Sequence, residues 1–187
     1  LAPEGIGSGG DMGFFARFGG TPEEKNARAV DKLKARLMNE HQPTSERKRT
    51  IAMLDSNGSP AALYALLGRF TYHTPSTITD EDEKELTYKV LIHAGERALP
   101  PIEDFIAKEK SIYWPLRALA DIAGDDRAVE VILTNLDAIE DRFDLSMERM
   151  NQLVSCLRDF QHPRVLEKLI ELSEDEAEEI RFLAVDG

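Results

Sequence analysis

The stretch from Tyr113 to Leu136, YWPLRALADIAGDDRAVEVILTNL, decides the fold of this chain. Its first half carries apolar side chains at helical spacing up to Gly124, and its second half does the same after Asp125 and Asp126. Apolar residues three and four positions apart lie on one face of an α-helix. Two helices joined by so short a turn must run antiparallel. The stretch therefore predicts one pair of packed helices.

The same unit recurs elsewhere in the chain. Three further segments repeat it, at Arg47–Phe70, Glu83–Ile106 and Glu148–Leu172. The equivalent positions after each turn, spaced by 37, 30 and 36 residues, are Ala62, Leu99, Val129 and Val165. Helix pairs of this length are the units of solenoid repeats. Because no segment alternates as a strand does, we predict an all-α fold, an α–α superhelix (solenoid) of about four helix pairs.

The two ends of the chain differ from the repeats. Residues 1–21 are rich in glycine and are interpreted as a flexible lead, which leaves residues 22–187 as the repeat domain. An extra helix over Pro22–Asn39 is expected to cap the array at its N-terminal end, buried through Ala29, Val30, Leu33 and Leu37. At the other end, Ala177–Gly187 begins another first helix, with no following helix to cover Ile180, Leu183 and Ala184. We therefore expect the repeat domain to be truncated at its C-terminal end.

Charge and cysteine content limit the classes of function. The net charge is −12, and it is uneven: residues 1–50 hold nine Lys/Arg against seven Asp/Glu, whereas residues 51–187 hold 14 against 28. An acidic body repels phosphate backbones, so we expect no nucleic-acid partner. The single cysteine, Cys156, falls on an apolar stripe and is predicted to be buried. With no disulfide possible within the chain and no secretory signal, we predict a cytoplasmic location.

Two segments resemble the HEAT-like repeat family, of the type found in phycobilisome lyases. Ala118–Ile132, ALADIAGDDRAVEVI, is similar to the helix–turn–helix core of that repeat, and Ile180–Ala184, IRFLA, is similar to its opening. The resemblance covers roughly residues 45–187. It implies a superhelix whose second helices line a concave face, where a protein or peptide would bind. The polar candidates on that face are Arg69, Glu130, Thr134, Asn135, Asp137, Arg164, Glu167, Lys168 and Glu171.

Some proteins with this architecture are enzymes. A di-iron hydroxylase such as deoxyhypusine hydroxylase needs His-Glu pairs to hold iron. None of the four histidines precedes a glutamate: His41, His73, His93 and His162. Cys156 has His162 nearby in the sequence, but no third residue is placed to orient the pair for nucleophilic catalysis. We therefore predict no catalytic residue, no metal and no cofactor, and expect a non-catalytic scaffold rather than an enzyme, with a bilin-lyase-like enzyme as the least favoured alternative.

Four short motifs leave alternatives open. Met12–Phe18 carries three Phe and one Arg and is interpreted as a hydrophobic staple packed onto the first helix; the alternative is weak docking of an accessory or regulatory subunit to a membrane or assembly. The basic run Arg47–Arg49 could contact an acidic partner, or pair with acidic neighbours within the chain. The acidic run Asp80–Glu83 is interpreted as a helix cap, with a weak divalent-cation site as the alternative. Trp114 is expected to pack between repeats, with a role as an exposed binding anchor as the alternative.

Overall fold

The computed structural model describes residues 20–139 and 144–185, and the regular structure in these residues is helical throughout. The predicted all-α superhelix is confirmed. The helices, numbered in chain order, are α1 (Pro22–Leu37), α2 (Thr44–Asn57), α3 (Pro60–Leu67), α4 (Thr77–Ala94), α5 (Leu99–Lys108), α6 (Tyr113–Ala123), α7 (Asp125–Asp137), α8 (Asp144–Leu157), α9 (Pro163–Leu172) and α10 (Glu178–Val185). Short 3₁₀ turns, Gly68–Thr71 and Gly95–Ala98, follow α3 and α4.

The helices follow one another as the repeat pattern predicts. In chain order the helices alternate as α2–α3, α4–α5, α6–α7 and α8–α9, followed by α10. Helix α2 packs on α3 and α6 packs on α7, whereas α5 packs on α3 and α6, and α9 packs on α7 and α10. Neighbouring first helices α2, α4, α6, α8 and α10 pack against one another and form what we name the first-helix face. Helices α3, α5, α7 and α9 form the second-helix face. Helix α1 packs on α2 and α3, as expected of a cap, and buries Val30, Leu33 and Leu37 but leaves Ala29 exposed.

Local chemistry explains where several helices begin and end. Thr21 forms a capping box with Glu24 at the start of α1, each side chain bonding the other residue's backbone N–H. Helix α6 ends at Gly124, whose φ of 88° and ψ of 162° are accessible essentially to glycine alone. The tight reversal at Gly124 sets α7 antiparallel to α6.

The C-terminal helix corrects one expectation. Ile180 and Ala184 are buried because α10 packs back against α8 and α9, so the prediction that they lack a covering helix is wrong. The exposed apolar side chains at this end are instead Leu166, Ile170, Phe182 and Val185. Continuation of the array beyond α10 stays a prediction.

The N-terminal interpretations fall mostly outside the described residues. Residues 1–19, which include Met12–Phe18, are not described, so neither the flexible lead nor the docking segment is tested. Among the helices that are described, none is both long enough and apolar enough to cross a membrane.

Candidate functional site

Five buried charged side chains join α2, α4 and the turn between α3 and α4. We name Arg47, Arg69, Asp80, Glu83 and Lys84 the ion cluster; each side chain is at most 5% exposed. The Nε atoms of Arg47 and Arg69 both donate to Glu83, at 2.8 and 2.9 Å. Asp80 accepts from Arg69 Nη2 and from Lys84 Nζ, each at 2.6 Å. The two carboxylates thus bridge three cations across separate elements.

The surroundings of Asp80 favour the ionised form of its carboxyl group. Burial alone would raise the pKa of this carboxyl, but hydrogen bonds from Lys84, Arg69 and the backbone N–H of Thr74 outweigh it. The pKa of Asp80 therefore lies well below its usual range. A hydrogen bond and charge from Glu83 likewise raise the pKa of Arg47.

This cluster overturns two expectations and, for Arg47, decides between the two alternatives given for the basic run. Arg69 was predicted on the binding surface, but its side chain is fully buried and committed to Asp80 and Glu83, so it cannot contact a partner. Arg47 is likewise internal and pairs within the chain. The acidic run does not precede a helix, because Ser76 caps α4 and both carboxylates of the cluster lie inside that helix.

Five of the predicted surface residues meet in one groove of the second-helix face. This α7–α9 groove has a volume of about 230 Å³ and is lined by Leu133, Asp137, Arg164, Glu167, Lys168 and Glu171. Lys168 Nζ lies 2.9 Å from Asp137 Oδ1 and 2.8 Å from Glu171 Oε1. Three of the five charged side chains in the groove, those of Lys168, Asp137 and Glu171, are therefore already paired with one another.

The remaining predicted residues lie outside that groove. Glu130 pairs with Arg127 at 2.6 Å. The Asn135 side-chain oxygen accepts from Arg149 Nη2 at 2.9 Å, which makes Asn135 a bridge between α7 and α8. Thr134 is exposed.

A larger groove lies on the first-helix face, along α4, α6 and α8. This aromatic groove has a volume of about 610 Å³ and is lined by Phe70, His73, Glu81, Lys84, Lys110, Ser111, Ile112, Tyr113, Trp114, Arg117, Glu148 and Gln152. Trp114 stacks on buried Phe70 with ring centroids 6.0 Å apart and an interplanar angle of 7°. Its ring also meets Tyr88 and Tyr113 edge-on, at 5.8 and 5.9 Å. Trp114 is half-buried, whereas Tyr113 is 53% exposed.

Cationic side chains surround these rings. The Arg117 guanidinium lies 4.7 Å from the Tyr88 ring centroid and 5.4 Å from that of Trp114. Such contacts fix the cation over the ring faces. Lys110, in the loop before α6, forms an ion pair with Glu148 on α8. The groove is therefore held by three successive repeats and has both apolar and charged walls.

One wall of the aromatic groove belongs to the ion cluster. Lys84 lines the groove and binds Asp80 behind it. His73 Nδ1 lies 3.1 Å from Asp80 Oδ2 and 3.2 Å from Lys84 Nζ. The buried charges and the open surface are thus in direct contact.

Sequence reasoning found only part of this groove. Trp114 packs between repeats, as expected, and it also lines a groove; its alternative role as a binding anchor stays a prediction. Tyr113 and Arg117 were missed, although they stand four residues apart and therefore share a helix face beside Trp114. Phe70, Lys84 and Lys110 come from other repeats, and no local pattern links them to Trp114.

Other reactive side chains offer no second site. Cys156 is buried as predicted, and burial raises the pKa of its thiol to about 12, so it is not a thiolate at neutral pH. His162 caps α9 by accepting from the Arg164 backbone N–H at 3.1 Å. Within residues 20–139 and 144–185, no three His, Cys, Asp or Glu side chains group so as to hold a metal ion.

Comparison with known proteins supports no more than a likeness of fold. No family model matches the chain, and no curated protein matches it. A solved structure of human deoxyhypusine hydroxylase, in complex with glycerol, matches 87% of this chain at 19% identity, with a TM-score of 0.41. The match spans 62% of that enzyme chain, so less than two thirds of its length is represented.

This comparison corrects the prediction that the chain is not an enzyme. The matching structure is itself an enzyme, so the prediction, which rested on absent metal ligands and nucleophiles and on the acidic body, is wrong as stated. A fold-level likeness transfers neither that enzyme's activity nor its ligands to this chain. Function has to be argued from the surfaces described above.

Proposed function

We propose that this chain binds a protein or peptide segment in the aromatic groove of its first-helix face. The observation that supports this most is the grouping of Trp114, Tyr113 and Arg117 at an open groove. Trp, Tyr and Arg are the residue types most enriched among those that dominate binding energy in protein interfaces. Rings already held by Phe70 and Tyr88 lose little conformational freedom on binding.

The proposal moves the binding surface away from the face that the family resemblance favours. The α7–α9 groove has less than half the volume of the aromatic groove, and Lys168 is already paired there. It also lacks an exposed aromatic side chain among its lining residues. A scaffold role on the second-helix face is therefore the rival hypothesis.

A cytoplasmic location fits a protein with one unreactive cysteine, and it remains a prediction. Docking of an accessory subunit through Met12–Phe18 also remains a prediction. Neither bears on which face of the repeat domain binds a partner.

A random peptide library selected on the intact chain tests the proposal. We expect the enriched peptides to lose at least about tenfold in affinity for the Tyr113→Ser variant, because loss of a central aromatic side chain costs more than about 1.4 kcal/mol. The matched control is Glu171→Gln, an exposed change in the α7–α9 groove that should leave binding unaltered. Enriched peptides that respond to Glu171→Gln and ignore Tyr113→Ser would establish the rival face instead.

A further inference from the structure

The chemical class of the ligand is encoded in the charges of the aromatic groove. Arg117 is exposed, and no carboxylate among the described residues lies within the 4.0 Å of an ion pair with it. Its contacts are with the faces of two aromatic rings. Stacking occupies the face of a guanidinium and leaves its N–H edge free for a planar carboxylate. Arg117 is therefore a fixed cation whose strongest binding mode is still open.

The ion cluster adds positive charge beneath the same groove. Its three cations, Arg47, Arg69 and Lys84, face two carboxylates, Asp80 and Glu83, which leaves one positive charge in excess. Backbone carbonyls of Glu40 and Gln42 accept from Arg47 and supply dipoles but no charge. An uncompensated buried charge is costly, so an anion placed beside it is stabilised.

Lys84 carries that excess to the groove surface. Its ammonium has three N–H donors, and its described polar contacts are with Asp80 and His73. Lys110 is paired with Glu148 and Lys84 is buried against Asp80, so Arg117 is the exposed cation of the groove, and Lys84 acts on a ligand through its charge from within the groove wall. This contrasts with residues 51–187 as a whole, where Asp and Glu outnumber Lys and Arg by 28 to 14.

We propose that the occupant of the aromatic groove is an acidic peptide segment with an apolar side chain between its carboxylates. One carboxylate binds the N–H edge of Arg117, a second lies over the groove wall that Lys84 forms above the positive excess of the ion cluster, and the apolar side chain packs on Tyr113 and Trp114. This inference rests on the proposed function of the groove and specifies its ligand.

Trp114 allows a direct test, since it is the single tryptophan of the chain and lines the groove. The acidic probe is a synthetic peptide with the core Asp-Glu-Leu-Phe-Glu-Asp between Gly-Ser flanks. Its match is a control peptide in which each Asp is replaced by Asn and each Glu by Gln. Titration of the intact chain is followed by Trp114 emission. We expect the acidic probe to bind at least about tenfold tighter than its match, about 1.4 kcal/mol, since charge-assisted hydrogen bonds are stronger than neutral ones.

Variants of Arg117 assign the effect to one side chain. Arg117→Gln should remove most of the preference for the acidic probe. Arg117→Lys should keep part of that preference, because lysine retains the positive charge but cannot form the bidentate hydrogen bonds of a guanidinium. Arg164→Gln, an exposed arginine on α9, is the matched control and should change nothing. Circular dichroism and thermal melting confirm that each variant is folded.

The outcomes separate this inference from the proposed function. Equal binding of both probes, unaffected by Arg117→Gln, would leave a peptide-binding groove but overturn its acidic preference. Binding of neither probe would overturn both. Equally tight binding of a 12-residue oligothymidine would show a preference for any polyanion, and would also overturn the proposal.

Discussion

At the scale of single residues, the ion cluster places five charged side chains in the buried interior, where they are paired with one another. Buried ion pairs add little net stability compared with apolar packing, but removing one partner leaves a stranded charge that costs about 3–5 kcal/mol. The cluster thus makes the position of α4 against α2 dependent on a few side chains. It also fixes Lys84 and His73 at the wall of the aromatic groove.

Asp80→Asn tests the cluster through the pH dependence of stability. At pH 7 we expect the substitution to lower the free energy of unfolding by about 3 kcal/mol. The pKa of Asp80 is lowered in the folded state, so its stabilisation is complete above about pH 4, the unfolded value, and is lost as the pH falls below it. The difference between wild type and variant, measured by urea unfolding, should therefore shrink between pH 4 and pH 2.

The control for that experiment is Asp104→Asn. Asp104 pairs with Lys108 on the surface of α5, where ion pairs contribute little, so stability should barely change. An Asp80→Asn variant as stable as the wild type at pH 7, or a difference that stays constant into acid, would contradict the role given to the cluster.

Cys156 provides a second residue-scale prediction. Because its thiol is buried and its pKa is raised to about 12, alkylation by iodoacetamide at pH 8 should require opening of the fold. We expect the native rate to be at least about 100-fold below the rate in denaturing urea. The matched comparison is Ser155→Cys in a Cys156→Ser background, since position 155 is exposed on the same helix. Equal rates at the two positions would show that Cys156 is accessible.

At the scale of elements, one glycine determines the tightest turn between paired helices. Gly124 separates α6 from α7 with no intervening loop, and its backbone angles are accessible essentially to glycine alone. A Cβ placed there would meet no atom within 4 Å, so the cost of a side chain would be backbone strain alone.

Gly124→Ala should therefore lower the free energy of unfolding by about 1–3 kcal/mol. The neighbouring change Ala123→Gly, at the exposed end of α6, should cost no more than about 1 kcal/mol. Chemical denaturation of both variants measures the difference. If Gly124→Ala proves no less stable than Ala123→Gly, the turn does not depend on this conformation.

At the scale of the whole molecule, sequence periodicity predicted the helix pairs because apolar spacing records which face of each helix is buried. Glycine and proline at the turns then located the helix ends. The same rule failed at Arg69 and Glu83, because a pattern of apolar and polar residues assigns charged side chains to the surface. Their burial depends on partners in other helices, Arg47 among them, which no local pattern reveals.

The binding groove shows the same limit. Trp114 was identifiable as the single tryptophan at a helix start, but its partners Phe70 and Lys84 lie on earlier repeats. Sequence reasoning instead favoured the second-helix face, where five of its nine candidates do share a groove. Charge composition described an acidic molecule and could not show that exposed Arg117 and the positive excess of the ion cluster meet at one groove.

Amide chemical-shift mapping of the isotope-labelled chain, titrated with the acidic probe, tests the central claim most directly. The binding groove is assigned to the first-helix face, so the largest shifts should fall on His73, Lys84, Tyr113, Trp114 and Arg117. Residues of the α7–α9 groove should stay close to their free positions. Shifts concentrated at Arg164, Lys168 and Glu171, or none at saturating probe, would contradict the assignment.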